Sequence, residues 1–205
     1  MTLLKPLTLK HQEKDEYTSL GLRALLDSLG DRIQGGILDL GPAVGSNVDF
    51  FSKLSSSFYV ADLFRALESN RPVTNTDEMH WDPVFEKILP YEEGSRFDLI
   101  LGWDVINYLR APQIEALARC LGPYCSADTV LFSMISTRKQ IPARPRSYQV
   151  LSPEKLLYQT STQAVRPCPL YKEPDLVRLL TGFRVKTSYL LRNGMLEYLF
   201  SYEKP

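Results

Sequence analysis

Two carboxylates and two glycines near residue 40 have the types and the order of a ligand-binding turn. Asp39 lies in a short apolar run, Gly41 and Gly45 follow it, and Asp62 ends the next apolar run. Glycines let a ligand approach the backbone, and the N-terminus of a following helix offers free N–H groups to an anion. A carboxylate at the end of a strand accepts hydrogen bonds from ribose hydroxyls. The arrangement therefore predicts a cofactor that contains adenosine.

The elements that must position these residues can be recognised in the same stretch. Apolar runs at 37–40 and 58–61 predict two buried strands, and the apolar spacing of 48–54 between them predicts a helix. Strand, glycine turn, helix, strand and terminal acid form one mononucleotide-binding half of a doubly wound α/β sheet. The turn between Gly41 and Gly45 contains no G-x-G-x-x-G, the fingerprint of dinucleotide-binding proteins.

Two segments resemble motifs of one enzyme family. The run of Asp39, Gly41, Ala43 and Gly45 resembles the first motif of the class I S-adenosylmethionine-dependent methyltransferases, an acid followed by three alternating glycines, with Ala43 in place of the middle one. The segment 97–109, FDLILGWDVINYL, resembles the fourth motif of that family, a buried strand whose end faces the methyl group of the cofactor.

The C-terminal part of the chain also resembles this family. Asn193 and Gly194 join two strand-like runs, 183–191 and 195–202, and Asn-Gly between such runs is a strong hairpin signal. Methyltransferases of this class finish with such a hairpin, which makes the last strand antiparallel. The resemblance implies a three-layer, Rossmann-like α/β fold with a seven-stranded, mostly parallel sheet. It also implies a single domain over 1–205.

The resemblance implies S-adenosylmethionine as cofactor, S-adenosylhomocysteine as product, and in-line attack of an acceptor on the sulfonium methyl group. Asp82 is the best placed acid for the adenine amino group, although the strand before it is poorly marked and Glu86 or a backbone group is an alternative. Asp104 is the candidate general base and Tyr108 the candidate substrate contact. The predicted cofactor-binding residues are Asp39, Gly41, Ala43, Gly45, Asp62, Leu63, Asp82, Gly102 and Trp103.

The remaining segments are predicted from caps and periodicity. Residues 1–16 form a polar N-terminal arm, and helices are expected over 22–29, 112–121 and 174–180, each followed by a glycine. A further helix is expected to begin at Ser152, with Pro153 in its first turn.

The proline-rich stretch 137–171 is the least regular and is locally basic. It is predicted to be a substrate-side insertion without regular structure. One interpretation is a lid in which Arg144 and Arg146 recognise an acidic substrate or partner, and the other is a solvated charged loop.

Composition excludes several classes of function. Lysine plus arginine equals aspartate plus glutamate, 24 each, so the net charge indicates no attraction to nucleic acid or to an anionic membrane. No run is long enough to span a bilayer, and a cytoplasmic protein is expected. Three cysteines without C-x-x-C spacing and two histidines do not indicate a zinc site. The predicted partner is a methyl acceptor, either an anionic small molecule or a protein.

Two other functions fit parts of the sequence. A methyltransferase-like protein without catalysis, acting as a binding or assembly module, agrees with Ala43 and with the poorly marked third strand. A nicotinamide-dependent oxidoreductase would share the acid at Asp62, but it would require the missing glycine fingerprint and a parallel last strand.

Overall fold

The computed structural model describes residues 14–30, 33–70, 80–89, 91–92 and 94–204. Within these residues the strands are β1 (Lys14–Thr18), β2 (Gly36–Asp39), β3 (Phe58–Val60), β4 (Phe97–Trp103), β5 (Cys125–Ser136), β6 (Gln140–Pro142), β7 (Ser147–Ser152), β8 (Lys155–Gln159), β9 (Val165–Pro167), β10 (Phe183–Leu190) and β11 (Met195–Tyr202). The helices are α1 (Leu20–Leu29), α2 (Gly45–Phe51), α3 (Leu63–Ser69), α4 (Asp82–Ile88), α5 (Ala111–Leu121) and α6 (Glu173–Leu179). Short 3₁₀ turns occupy Val105–Tyr108 and Gly122–Tyr124.

The main sheet has the strand order β10-β11-β5-β4-β2-β3. Strands β3, β2, β4 and β5 pair in parallel, whereas β11 pairs antiparallel with both β5 and β10. The predicted C-terminal hairpin and antiparallel last strand are therefore confirmed. The chain moves from β2 outward to β3 and then returns to β4 on the other side of β2. This reversal makes a topological switch point between the carboxyl ends of β2 and β4, where ligands bind in open α/β sheets.

The predicted sheet has seven strands, and six lie within the described residues. The seventh predicted strand, the third along the chain, precedes Asp82. Residues 71–79 in this part of the chain lie outside the described residues. The count of seven therefore stays a prediction.

The main sheet buries a core on each face because successive side chains of a strand point to opposite sides. Leu38 and Ile100 pack on one face with α3, α4, α5 and α6. Ile37, Leu99 and Leu101 pack on the other face with α1 and α2. Helices thus cover both sides, as the predicted three-layer arrangement requires.

A small antiparallel sheet with the order β1-β8-β7 completes the second face. Tyr148 and Val150 of β7 and Leu156 of β8 are buried in the same core as α1. Strand β1 includes residues of the expected N-terminal arm, so Lys14–Glu16 pair with a strand and residues 1–13 lie outside the described part.

The prediction that 137–171 lacks regular structure is wrong. This stretch contains β7 and β8 and the short pair β6 and β9. The helix expected at Ser152 is also wrong, since Ser152 pairs with Lys155 across the tight turn that joins β7 to β8. Ser-Pro is as suitable for a turn as for a helix start, and the alternating apolar residues on both sides of it are typical of strands.

The helices predicted from their caps are confirmed at α1, α5 and α6. Gly30 ends α1 with a φ of 68°, and the Ser19 hydroxyl accepts a hydrogen bond from the Leu22 N–H at its start. No helix in the described part of the chain is long and apolar enough to cross a membrane. The same residues contain no group of three or more side chains arranged to hold a metal ion.

Candidate functional site

The loop after β2 and the last residues of β4 meet at the switch point. Asp39 is 1% exposed, and its Oδ1 accepts hydrogen bonds from the Gly41 N–H (2.8 Å) and from the Trp103 indole N–H (2.7 Å). Burial raises the pKa of Asp39 to about 7, against the opposing effect of these two bonds. The carboxylate therefore links the two strand ends, as expected for a group that orients the glycine loop.

The two glycines of the loop have different surroundings. A Cβ on Gly41 would lie 2.6 Å from Cδ1 of Trp103 and 3.1 Å from Oδ1 of Asp39. A Cβ on Gly45 would meet nothing within 4 Å, and Ala43 between them is exposed. The loop is therefore covered by the indole at Gly41 and open at Ala43 and Gly45.

Asp62 lies two residues after β3 in a left-handed backbone conformation, with φ 39° and ψ 59°. Aspartate tolerates this conformation better than most residues, although it still carries some strain. Its side chain is half-buried and makes no hydrogen bond or ion pair with the residues that the structure describes. Leu63, which begins α3, is fully buried and its N–H donates to the Leu40 carbonyl. The carboxylate of Asp62 thus lies near Asp39 and the glycine loop, without a partner among the described residues.

Trp103 ends β4 with a φ of 40°, an unusual value for a bulky residue. Its ring stacks on Tyr148 of β7, with centroids 5.3 Å apart and an interplanar angle of 6°. Gly102 lies one residue earlier inside the sheet, where a Cβ would come within 3.2 Å of Leu131 and Phe132. Trp103 therefore forms a wall of the site. Gly102 packs against residues of the core, Leu131 and Phe132.

Asp104 is 1% exposed and faces the small sheet. Its Oδ2 accepts from the Arg146 N–H (3.3 Å) and lies 3.5 Å from the Arg146 guanidinium, whereas Oδ1 is buried without a hydrogen-bond partner. Burial raises the pKa of Asp104 to about 6, and the charge of Arg146 opposes this rise. A carboxyl group of this kind exchanges a proton near neutral pH.

Tyr108 packs against α3, while the nearby Asp104 charge adds to burial in raising the pKa of its hydroxyl. Its hydroxyl donates to the Arg144 carbonyl (2.9 Å), and its ring packs edge-on against Phe64. Arg166 lies over the same ring at 5.6 Å. The hydroxyl therefore holds the segment that precedes β7.

The structure does not bring Asp82 to the other predicted residues. Asp82 begins α4 and makes two hydrogen bonds with Arg119, at 2.7 and 3.0 Å. Arg119 lies in the last turn of α5, which begins at the carboxyl edge of the sheet and runs toward the opposite edge. The ion pair lowers the pKa of Asp82 and holds the carboxylate away from the switch point.

Comparison with solved structures agrees with this topology. An S-adenosylmethionine-dependent methyltransferase from Clostridium acetobutylicum superposes with a TM-score of 0.53, at 10% identity, covering 89% of this chain and 90% of that one. This chain has the S-adenosylmethionine-dependent methyltransferase fold. No protein-family model matches the sequence, and no curated protein matches it.

Two other solved structures are similar to this chain, but their TM-scores are below 0.5, so no argument about the fold or the function rests on them. The glycopeptide N-methyltransferase MtfA, complexed with S-adenosylmethionine, is 12% identical with a TM-score of 0.47, covering 96% of this chain and 100% of that one. DesVI from Streptomyces venezuelae is 12% identical with a TM-score of 0.47, covering 88% of this chain and 89% of that one. Identities this low show the fold and not the reaction.

Within the methyltransferase fold, the small sheet supplies contacts that the sequence did not predict. The Asn47 amide of α2 donates to the Tyr148 carbonyl (2.7 Å), and its oxygen accepts from the Val150 N–H (2.8 Å). Tyr148 in turn covers Trp103. Alternating apolar residues over 148–158 were the signal that could have revealed these strands.

The structure separates the two arginines that were expected to form a lid. Arg146 pairs with Asp104, whereas the guanidinium of Arg144 lies 3.3 Å from Glu68 on the exposed surface of α3. Of these two arginines, Arg146 lines a cavity beside the small sheet, and Arg144 does not.

Proposed function

We propose that the protein binds S-adenosylmethionine at the carboxyl ends of β2, β3 and β4 and transfers its methyl group to an acceptor. The observation that carries this proposal is Asp62, a carboxylate without a partner among the described residues, presented beside the glycine loop at the switch point. Such a carboxylate matches the two hydroxyls of a ribose. The methyltransferase fold supports the same function.

The residues of the loop fit the cofactor on two further points. The space above Gly45 is open, so a ligand has access to the backbone at the start of α2. The Ser46 hydroxyl is buried without a hydrogen-bond partner. A polar ligand in the loop would satisfy this hydroxyl with a hydrogen bond. Asp62 would hold the ribose, and the backbone from Ala43 to Ser46 would hold the methionine end.

When bound, the cofactor supplies a methyl group on a sulfonium, which is already activated for transfer. The chain would then contribute mainly position and exclusion of water. Trp103 and Tyr148 form a wall beside the glycine loop. Asp104, whose Oδ1 has no partner, would take a proton from an acceptor that arrives protonated. Tyr108 would act indirectly, because its hydroxyl is bound to the Arg144 carbonyl.

One observation favours the second candidate, a binding module without catalysis. The Asp39 carboxylate is bonded by Gly41 and Trp103, and the stacked rings of Trp103 and Tyr148 cover the loop at Gly41. A protein that had lost the cofactor could fill its site in this way. The proposal of methyl transfer requires that the open part of the loop is sufficient for binding.

Isothermal titration calorimetry with S-adenosylmethionine, S-adenosylhomocysteine and NAD separates the candidates. We expect the first two to bind and NAD not to bind. Asp62→Ala should weaken the binding by roughly 2 kcal/mol, about thirtyfold, because it removes charge-assisted hydrogen bonds. Asp49→Ala, an exposed carboxylate on α2, is the matched control and should bind like the wild type.

Two results would contradict the proposal. Binding of none of the three ligands would favour the module without catalysis. An unchanged affinity in a folded Asp62→Ala variant would show that Asp62 does not contact the ribose.

A further inference from the structure

A cavity of about 540 Å³ lies between the small sheet, the end of β5 and the turn of the C-terminal hairpin. Neither the glycine loop nor Asp62 is among the residues that form its wall. Its volume is in the range of sites for small molecules. The lining residues on which the argument rests are Tyr17, Arg138, Arg146, Tyr148, Tyr158 and Thr160.

The wall of the cavity is positively charged. Arg138 and Arg146 both line it, and no aspartate or glutamate does so within the described part of the chain. Arg146 is paired with Asp104 at 3.5 Å, but the exposed guanidinium of Arg138 forms no ion pair with any described carboxylate. The protein as a whole has no net charge, so this local excess favours an anion.

Two buried polar atoms of the lining residues have no hydrogen-bond partner. They are Nε of Arg146 and the hydroxyl oxygen of Thr160. An unsatisfied buried polar group costs about 1–3 kcal/mol, and native proteins keep few of them. A ligand that accepts hydrogen bonds in the cavity would remove this cost.

Three tyrosines line one part of the wall, which is otherwise polar and aliphatic. The ring of Tyr158 lies 6.2 Å from that of Tyr17 and 6.3 Å from that of Tyr148, tilted in both cases. Arg146 lies over the Tyr158 ring at 5.3 Å. Tyr148 also stacks on Trp103, so two rings separate the cavity from the glycine loop. Flat apolar surface beside guanidinium groups suits an aromatic acid.

We propose that this cavity binds a small aromatic carboxylate, with its ring against the tyrosines and its carboxylate toward Arg138 and Arg146. The cavity is then a second ligand site, separate from the carboxyl edge of β2 and β3 that holds the cofactor in the proposed function. The stacked rings of Trp103 and Tyr148 lie between the two.

The binding step is tested without any cofactor, by NMR titration with benzoate, 4-hydroxybenzoate and phenylacetate, each compared with its neutral amide. We expect at least one carboxylate to shift the amide signals of residues lining the cavity and to bind about tenfold more tightly than its amide. Added salt should weaken this binding, since partly exposed charges are screened.

Three variants make the test specific. Arg138→Gln should weaken carboxylate binding about tenfold, to the level of the amide. Thr160→Val should weaken it severalfold without lowering thermal stability, because it removes a hydroxyl that has no partner. Arg144→Gln is the matched control, since Arg144 pairs with Glu68 outside the cavity, and it should bind like the wild type.

Equal affinity for carboxylates and amides, no effect of Arg138→Gln, or no binding of any carboxylate up to about 10 mM would overturn the assignment. A carboxylate that binds is then incubated with S-adenosylmethionine and analysed by mass spectrometry. Recovery of the unmodified carboxylate from a protein that binds both ligands supports a separate site, and a methylated carboxylate would contradict it. Failure of S-adenosylmethionine to bind in calorimetry would contradict the proposed function and leave the anion site intact.

Discussion

Gly41 and Gly45 lack a side chain for different physical reasons. At Gly41 the space is taken by the protein itself, because a Cβ would lie 2.6 Å from the buried Trp103 ring. At Gly45 the space is open and φ is not in the left-handed region, so no described neighbour requires glycine there. Packing thus accounts for the glycine at Gly41, whereas at Gly45 the proposed cofactor would account for it.

Substitutions at these two positions should separate stability from binding. Gly41→Ala should lower the free energy of unfolding by about 1–3 kcal/mol, because the indole must move. Gly45→Val should cost less than about 1 kcal/mol but block the cofactor sterically. Denaturant unfolding and a thermal-shift titration with S-adenosylmethionine measure the two effects. A shift like that of the wild type in Gly45→Val would place the ligand elsewhere.

Asp39 should make stability depend on pH. Its pKa is about 7 in the folded protein and near 4 in an unfolded chain, so the folded state holds a proton that the unfolded state releases. Its contribution to the free energy of unfolding is complete below about pH 4 and is lost as the pH rises through about 7, by up to roughly 4 kcal/mol.

Asp39→Asn keeps a hydrogen-bond acceptor but cannot ionise. Between pH 5 and 7, where most of the stability contribution of Asp39 is lost, the free energy of unfolding of Asp39→Asn should fall less than that of the wild type. Parallel profiles for the two proteins would argue against an unusual pKa at Asp39.

At the scale of elements, Asn47 connects α2 to β7. Its side chain satisfies the Tyr148 carbonyl and the Val150 N–H, both on β7, an edge strand of the small sheet. Because Tyr148 stacks on Trp103, this connection also fixes the wall between the glycine loop and the cavity.

Asn47→Ala should destabilise the protein by about 1–3 kcal/mol, since it leaves two buried backbone groups without partners. Hydrogen exchange at the Val150 amide should become faster than in the wild type. Ser52→Ala, at the exposed end of the same helix, is the control and should change neither quantity. Equal exchange at Val150 in Asn47→Ala and in the wild type would show that the small sheet is held by its apolar contacts alone.

At the scale of the whole molecule, the small sheet and the main sheet share one core. Tyr148, Val150 and Leu156 pack in the same cluster as Leu25 and Phe132. The two ends of the described chain are also connected, because Glu197 of β11 accepts hydrogen bonds from the Ser19 hydroxyl (2.6 Å) and the Gly21 N–H (2.8 Å). These connections favour one cooperative unit.

We therefore predict a single unfolding transition. Tryptophan fluorescence, to which Trp103 contributes at the contact between the sheets, and far-UV circular dichroism should give the same midpoint in denaturant. Two separate midpoints would mean that the small sheet unfolds by itself and that the chain is not one domain.

Local signals were sufficient for the elements around the predicted cofactor site. The apolar run of β2, the glycines after it and the acid after β3 follow one another in the chain, so their order alone indicated the switch-point loop. Asn193 and Gly194 indicated the hairpin for the same reason, because turn chemistry depends on adjacent residues. These parts of the fold were determined by the sequence itself.

Only the tertiary structure decided the partners of these residues. Arg119 draws Asp82 away from the switch point, and Trp103 accounts for Gly41, in both cases through side chains far away in the chain. The prolines of 137–171 concealed β7 and β8, which are stabilised by pairing with each other, by pairing of β8 with β1 and by burial against α1. Strand pairing and burial depend on residues that are distant in sequence, so a local pattern indicates which strands can form and tertiary packing decides where they lie.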